Sequence, residues 1–225
     1  MSDNKHAGHR KRLTKRFLES GFNDFEPHNI LEFILFFSLT RRDTNELAHD
    51  LINRFGSFSS VLEAPYHELL KVKGIGPRSA SHIVMFLQVF REYEKDRYSD
   101  IKTVPDVQTA GNLLMPRFVG LHDEHVAVAC LDSKRKLLKA DIIFKGSVNA
   151  VQISVRKVME FVLQFKGTAV IIAHNHPGGI ALPSAEDIST TTKIKQALVG
   201  IGVELIDHLI FADDDFTSMT ESRVL

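Results

Sequence analysis

The residues Thr168–Asp187, TAVIIAHNHPGGIALPSAED, decide the fold of the C-terminal half of this chain. The apolar and largely β-branched run at their start predicts a buried strand. Pro177 ends that strand, and the pair Gly178-Gly179 lets the backbone turn. The residues from Pro183 onward open an amphipathic helix. We therefore predict a strand, a loop and a helix in direct succession.

Side chains that commonly bind metals lie where this strand ends and the helix begins. Side chains two residues apart on a strand point to the same face, so His174 and His176 can converge on one point. Asp187, in the first helical turn, can reach back toward them. Two neutral imidazoles and a carboxylate suit a catalytic zinc ion, with the fourth tetrahedral position left to water. The alternative is structural, because Ser184-x-x-Asp187 alone is a capping box that needs no chemistry.

A metal-dependent hydrolase also needs a general base for its attacking water. Glu124 immediately precedes HVAVACLD, a second clear strand over His125–Asp132, and is our candidate for that base. The alternative is an exposed carboxylate at the start of a strand, with no catalytic role.

The set of Glu124, His174-x-His176 and Ser184-x-x-Asp187 resembles the JAMM (JAB1/MPN/Mov34) metalloprotease motif. The wording His-Asn-His-Pro, Pro-Ser-x-x-Asp and, farther along, Asp-His-Leu-Ile is similar to one branch in particular, the bacterial RadC family. The resemblance runs from about residue 103 to the C-terminus.

This resemblance implies a role for each residue of the motif. It implies that His174, His176 and Asp187 hold one zinc ion per chain, that Glu124 activates the water, and that Ser184 steadies the oxyanion. One position departs from the family's usual His-Pro-Ser-Gly, because Gly178 stands in place of the serine. Gly178 is not a ligand position, so we expect a change in loop flexibility and a retained metal.

Strands and helices alternate around these residues from position 103 to 225. Their order predicts an α/β domain with a mixed sheet flanked by helices. The JAMM resemblance implies the same three-layer architecture, related in shape to the cytidine deaminases. The deaminase signature itself, His-x-Glu with Pro-Cys-x-x-Cys, is absent from the sequence, which argues against base deamination.

The first half of the chain predicts a separate all-α domain over residues 1–100, followed by a short charged linker. We predict a helix over Lys11–Ser20 that Gly21 closes. A second helix has Pro27 in its first turn, and a third ends at Gly56.

Within this half, VKGIGPRSA at Val72–Ala80 resembles a helix-hairpin-helix motif. Gly74 and Gly76 would allow a tight hairpin and the close approach of a phosphate, and Lys73 and Arg78 would add positive charge. Such contacts bind phosphates rather than read bases, and the resemblance implies that they would bind the DNA backbone. The alternative is an ordinary connection between two helices, since these motifs usually act in pairs and the upstream RFGSF is at best a degenerate partner.

Charge and composition bear on whether the chain is a nucleic-acid-binding, disulfide-rich or membrane protein. Positive and negative side chains balance at 28 each, so no net field favours a nucleic-acid partner. The single cysteine, Cys130, lies in a predicted strand and is expected to be a buried hydrophobe, which leaves no disulfide framework. The sequence has no stretch as long as a membrane span, and its polar N-terminus lacks an apolar signal region. We therefore expect a cytoplasmic protein with no membrane partner.

Two functional classes follow. In the first, the chain is a zinc-dependent hydrolase that cleaves a peptide or isopeptide bond in a protein or peptide substrate, within the DNA-repair context that the RadC resemblance implies. In the second, it is a DNA-binding repair or recombination factor whose metal site is accessory or acts on another bond. The sequence leaves open the substrate, the oligomeric state and the choice of zinc over iron or manganese.

Overall fold

The computed structural model describes residues 3–40, 43–146 and 151–225. The chain divides into two compact units, Met1–Phe90 and Arg91–Leu225. The first unit is helical and the second is built on a five-stranded sheet. In the part of the chain that the structure describes, no helix has both the length and the apolar character that crossing a bilayer requires.

The first unit contains five helices and most of a sixth among its described residues: α1 Asp3–Ser20, α2 Pro27–Phe36, α3 Asn45–Phe55, α4 Phe58–Glu63, α5 Tyr66–Leu69 and α6 Pro77–Arg97. The first helix begins at Asp3, before the predicted Lys11, and ends at Ser20 as predicted. Pro27 stands in the first turn of α2, where its missing N–H costs nothing. Gly56 ends α3 with a φ of 94°, a conformation that favours glycine.

The hairpin before α6 is held by buried apolar residues. Val72 and Ile75 are buried on either side of Gly74, whose φ is 101°, and the Ile75 amide donates to the Val72 carbonyl at 3.0 Å. Ala80, in the first turns of α6, is completely buried. These side chains join the core of the unit: Leu31, Ile34, Leu35, Leu47, Ala48, Leu51, Val61, Ala64, Leu69 and Ile83. The hairpin is therefore an integral part of the helical fold.

The second unit contains α7 Val107–Leu114, a short 3-10 helix Met115–Arg117, β1 His125–Leu131, β2 Leu137–Lys145, α8 Val151–Phe165, β3 Ala169–Asn175, α9 Ala185–Val199, β4 Glu204–Ala212 and β5 Asp215–Ser218. The sheet order is β2-β1-β3-β4-β5. β3 and β4 are parallel, and the other neighbouring strands are antiparallel. The sheet is therefore mixed, as predicted.

Two apolar cores cover the opposite faces of this sheet. On one face α7 and the 3-10 helix pack on alternate residues of β1 and β3, such as Ala129 and Ile171. On the other face α8 and α9 pack on the intervening residues, such as Val128 and Ile172. The three-layer α/β architecture and the all-α N-terminal region are thus confirmed.

The central strand β3 carries both histidines of the His-x-His pair to one edge of the sheet. His174 is opposite Val126 of β1 and opposite Ile210 of β4. The His176 amide continues the pairing with β4 by donating to the Phe211 carbonyl at 2.8 Å. A backbone hydrogen-bonded to strands on both sides gives these two histidines little freedom.

Candidate metal centre

His174, His176 and Asp187 meet at the C-terminal end of β3. The distance between the two imidazole Nε2 atoms is 2.8 Å. His174 Nε2 lies 3.2 Å from Asp187 Oδ1, and His176 Nε2 lies 3.5 Å from Asp187 Oδ2. Ligand atoms on a tetrahedral zinc with bonds of about 2.0–2.1 Å are separated by about 3.3 Å. The two histidine–carboxylate distances fit that spacing, and the spacing between the histidines is somewhat tighter.

The protons on the imidazoles show which atoms face the centre. His176 Nδ1 lies 3.1 Å from the Ile180 carbonyl oxygen, which can only accept a hydrogen bond, so Nδ1 carries the proton. A neutral His176 then presents the Nε2 lone pair to the Asp187 carboxylate. His176 Nε2 and the Asp187 carboxylate are then both hydrogen-bond acceptors, which a metal ion between them would join. The donor set fits a metal ion.

Asp187 is fixed by the start of α9. The Ser184 amide donates to Asp187 Oδ2 at 2.7 Å, and the Asp187 amide donates to Ser184 Oγ at 3.1 Å, which completes a capping box. Burial by itself raises the pKa of Asp187, but the neighbouring His174 and the hydrogen bonds of Ser184 outweigh it and leave that pKa well below its ordinary value. The residue is therefore both a helix cap and a buried, charged carboxylate at the centre.

Ser184 lies at the exposed rim of the centre. Its hydroxyl donates to Asp187 Oδ2 at 2.6 Å. The hydroxyl thus lies beside the carboxylate of Asp187, on a residue that is exposed to solvent.

Glu124 lies just before β1, at the same edge of the sheet as the histidines. It is partly buried, and its carbonyl accepts from the Gly146 amide at 2.8 Å. Val126 is opposite His174, so the two-residue period of a strand would place Glu124 on the face of the histidines. Glu124 is not part of the group of ligand atoms that lie within 4.8 Å of one another.

Asn175, between the two histidines, holds the backbone on both sides of Glu124. Its Oδ1 accepts from the His125 amide at 2.7 Å, and its Nδ2 donates to the Asp123 carbonyl at 3.1 Å. The side chain is almost fully buried. Sequence reasoning missed this role, because it depends on the antiparallel pairing of β1 with β3.

His208 and Thr191 are two further residues of the site to which sequence reasoning gave no role, although His208 lies in the Asp-His-Leu-Ile stretch of the family resemblance. His208 Nε2 lies 2.8 Å from His174 Nδ1, and His208 Nδ1 lies 2.6 Å from Thr191 Oγ1. Both side chains are buried. A histidine in a predicted strand of largely apolar residues was the available signal, since a buried imidazole needs partners.

Gly178 adopts a φ of 68° in the loop after the histidines. A Cβ there would meet no atom within 4 Å, so only the backbone conformation favours glycine at this position. The departure from the family pattern thus falls where glycine relieves strain.

The predicted DNA-contact residues lie together at the hairpin of the first unit. Lys73 and Arg78 are exposed, and Gly76 has open space where a Cβ would stand. Lys71 differs from them because it forms an ion pair with Glu68. The hairpin thus presents two exposed cations beside the N-terminus of α6.

Known protein families match both the sheet domain with the candidate metal centre and the helical region with the hairpin. The family model of the RadC-like JAB domain matches residues 104–224, and the helix-hairpin-helix family model matches residues 36–94. A UPF0758 protein of Shouchella clausii (strain KSM-K16) is 30% identical over 211 residues, covering 94% of this chain and 92% of the relative. A UPF0758 protein of Shewanella pealeana (strain ATCC 700345 / ANG-SQ1) is 30% identical over 207 residues, covering 92% of each chain. Because the RadC-like JAB domain spans more than half of the sequence, and these relatives align along nearly all of it, the chain belongs to the RadC family of JAB-domain proteins.

Proposed function

We propose that this protein is a zinc-dependent hydrolase that cleaves a peptide or isopeptide bond, with its hydrolytic half in residues 103–225 and a DNA-binding half in residues 1–100. The observation that carries the proposal is that imidazole nitrogens of the buried His174 and the partly exposed His176 lie within 4.8 Å of each other and of a carboxylate oxygen of the buried Asp187. Burying such acceptors together is costly unless a cation joins them.

The proposed ligands of the zinc are His174, His176 and Asp187. When bound, zinc polarises a carbonyl and lowers the pKa of its water to about 7. Two nitrogen ligands and one carboxylate leave a fourth position open, which is typical of catalytic rather than structural zinc. The His-His-carboxylate set supports zinc over calcium or magnesium, which prefer oxygen ligands.

The proposed proton carrier is Glu124. It would accept a proton from the attacking water and deliver it to the leaving amine, so the carboxylate is regenerated at the end of the cycle. Its position beside β1 supports this role, because Asn175 fixes the two peptide groups that flank it.

The proposed donor to the carbonyl oxygen is Ser184. Its hydroxyl would turn from Asp187 Oδ2 and donate to the negative charge that develops on the oxygen as water attacks. Asp187 would keep the backbone amide of Ser184 as a partner during this rotation. The capping box therefore supports both the helix and the mobility of the hydroxyl.

Metal content tests the site directly. We expect wild-type protein to carry one zinc per chain by elemental analysis and His176→Ala to carry almost none. The matched control is His67→Ala, at an exposed histidine of the first unit. Equal zinc in wild type and His176→Ala would contradict the ligand assignment.

The second candidate function is a DNA-binding repair or recombination factor in which the metal site is accessory. It is favoured by the helix-hairpin-helix match and by the exposed Lys73 and Arg78 at the hairpin. A Cβ at Gly76 would clash with nothing in the chain, so Gly76→Val should leave the fold intact and obstruct a phosphate at the hairpin. Full-length Gly76→Val that bound DNA as tightly as wild type would contradict this candidate.

A further inference from the structure

A chain of hydrogen bonds lies behind His174, on the side away from the other two ligands. His174 Nδ1 is 2.8 Å from His208 Nε2, and His208 Nδ1 is 2.6 Å from Thr191 Oγ1. The chain ends at the main chain of a ligand residue, since the Thr191 hydroxyl donates to the Asp187 carbonyl at 2.6 Å. His174, His208 and Thr191 are all buried, so their partners are those within the protein.

The direction of every proton in this chain follows from its last member. A carbonyl oxygen can only accept, so the single hydroxyl proton of Thr191 is committed to Asp187. Thr191 Oγ1 must then accept from His208 Nδ1, which places a proton on that nitrogen. The two ring nitrogens of the buried His208 have His174 and Thr191 as partners, and neither partner carries a negative charge that would balance a second proton on the ring. His208 Nε2 is therefore an acceptor, and His174 Nδ1 must donate to it.

With its proton on Nδ1, His174 has the lone pair of its ring on Nε2, as a metal ligand requires. That atom lies 2.8 Å from His176 Nε2 and 3.2 Å from Asp187 Oδ1, at the centre of the ligand group. Free imidazole can carry its proton on either nitrogen, and a proton on Nε2 would occupy the direction that the metal needs. The tautomer of His174 is thus set by two residues to which the sequence analysis gave no role at the site.

We propose that His208 and Thr191 are positioning residues that set the tautomer of His174 and tie it to Asp187, so that both ligands are prepared for the metal before it binds. This inference rests on the proposed zinc site and adds two residues to it. The connection runs through three elements, since His174 lies on β3, His208 on β4 and Thr191 on α9. Partners of this kind, which orient the ligands and fix their tautomers, typically change metal affinity about 10–100-fold when lost.

Removing the Thr191 hydroxyl should weaken the metal-bound state more than the metal-free state. With a metal on Nε2, His174 must keep its proton on Nδ1, and His208 must keep its own proton on Nδ1. In Thr191→Val that second proton faces no acceptor at Thr191, which is costly in a buried site. Without metal the two imidazoles can reverse their hydrogen bond and avoid part of this cost. Thr191→Ser keeps a hydroxyl and is the matched control.

The first experiment reads the tautomer and needs no metal. Imidazole ¹⁵N NMR of the full-length, metal-free chain at pH 8 should show His208 protonated on Nδ1 in both wild type and Thr191→Ser. Finding the His208 proton on Nε2 in wild type would overturn the proposal, whatever the protein does with zinc.

The second experiment measures zinc affinity of the full-length chain by competition with a chelator. We expect the Kd of Thr191→Val to be about 10–100-fold higher than that of wild type, and Thr191→Ser to lie close to wild type. Thermal unfolding without metal serves to show that Thr191→Val is folded. A Kd for folded Thr191→Val equal to that of Thr191→Ser would overturn the proposal. Absence of zinc binding in all three chains would instead defeat the proposed function, and the NMR result would still decide the tautomer.

Discussion

The candidate metal centre and the hairpin at Val72–Ala80 hold their proposed functional atoms in opposite ways. At the candidate metal centre each proposed ligand is held by a hydrogen bond to another part of the domain: His174 by His208, His176 by the Ile180 carbonyl and Asp187 by its capping box. At the hairpin, buried apolar side chains fix the backbone, while the cations that would contact a phosphate are exposed. The difference teaches that a site for one small ion needs fixed side chains, whereas a site for a charged polymer needs only a fixed backbone and positive charge.

The largest expected effect concerns chemistry at the centre without loss of the metal. Glu124→Gln should retain zinc and lose about 10²–10⁴-fold in turnover, because an amide cannot accept the proton of the attacking water. Turnover of a peptide or isopeptide substrate and zinc content are measured on the same preparation. Undiminished turnover would show that Glu124 is not the base. It would also weaken the contrast between the candidate metal centre and the hairpin, since the residues at the centre would then lack a proton carrier.

A smaller effect is expected from the residue that flanks the base. Asn175→Ala removes the acceptor of the His125 amide and the donor to the Asp123 carbonyl, so the segment carrying Glu124 should shift. A displacement of about 1 Å can cost on the order of 10²-fold in turnover, and zinc affinity should stay near that of wild type. Asn112→Ala, which removes an exposed amide on α7, is the control. A loss of zinc equal to the loss of turnover would show that Asn175 supports the ligands instead.

At the hairpin we expect a graded response that depends on salt. Arg78→Gln should weaken DNA binding by the full-length chain for all sequences alike, and the slope of log K against log salt should become shallower by about 0.9, as expected for one lost phosphate contact. The same change at Lys139, on β2, should leave the slope unchanged. Sequence-dependent losses at Arg78 would point to base contacts and would break the contrast with the metal centre.

The smallest effect is expected in the loop between the two ligand elements. Gly178→Ser restores the serine of the family pattern at a φ of 68°, where a side chain costs about 1–2 kcal/mol. The free energy of unfolding in urea should fall by that amount, and zinc affinity should change little, because a Cβ there meets no atom within 4 Å. A gain in stability would show that the loop changes its conformation to accept the serine.

Much of the fold was predictable because the spacing of apolar residues along the sequence matches the periods of strands and helices. The strand β3 was predicted from its apolar run. The helix α8, at Val151–Phe165, fits the predicted alternation of strands and helices. The meeting of Asp187 with the two histidines also followed from local order, since strand, loop and helix are consecutive. His174, His176 and Asp187 lie within fourteen consecutive residues, so their meeting could be predicted without the rest of the fold.

The residues behind the ligands could not be predicted in the same way. Thr191 and His208 meet only because β4 is parallel to β3 with His208 opposite Ile172, on the face that α9 covers. Asn175 reaches the neighbours of Glu124 only because β1 runs antiparallel beside β3. Register between distant strands depends on the whole core, and a single sequence does not encode it as a local pattern.

The position of β3 has a kinetic consequence. Its backbone is hydrogen-bonded to β1 on one side and to β4 on the other, so exposing its amides requires breaking two ladders at once. In hydrogen exchange these amides should be among the last to open, whereas the loop from Pro177 to Pro183 has few backbone partners and should open early. An ion at the centre would then enter and leave through the loop while the strand stays closed. Its residence time would be governed by opening of the loop and would be independent of global unfolding.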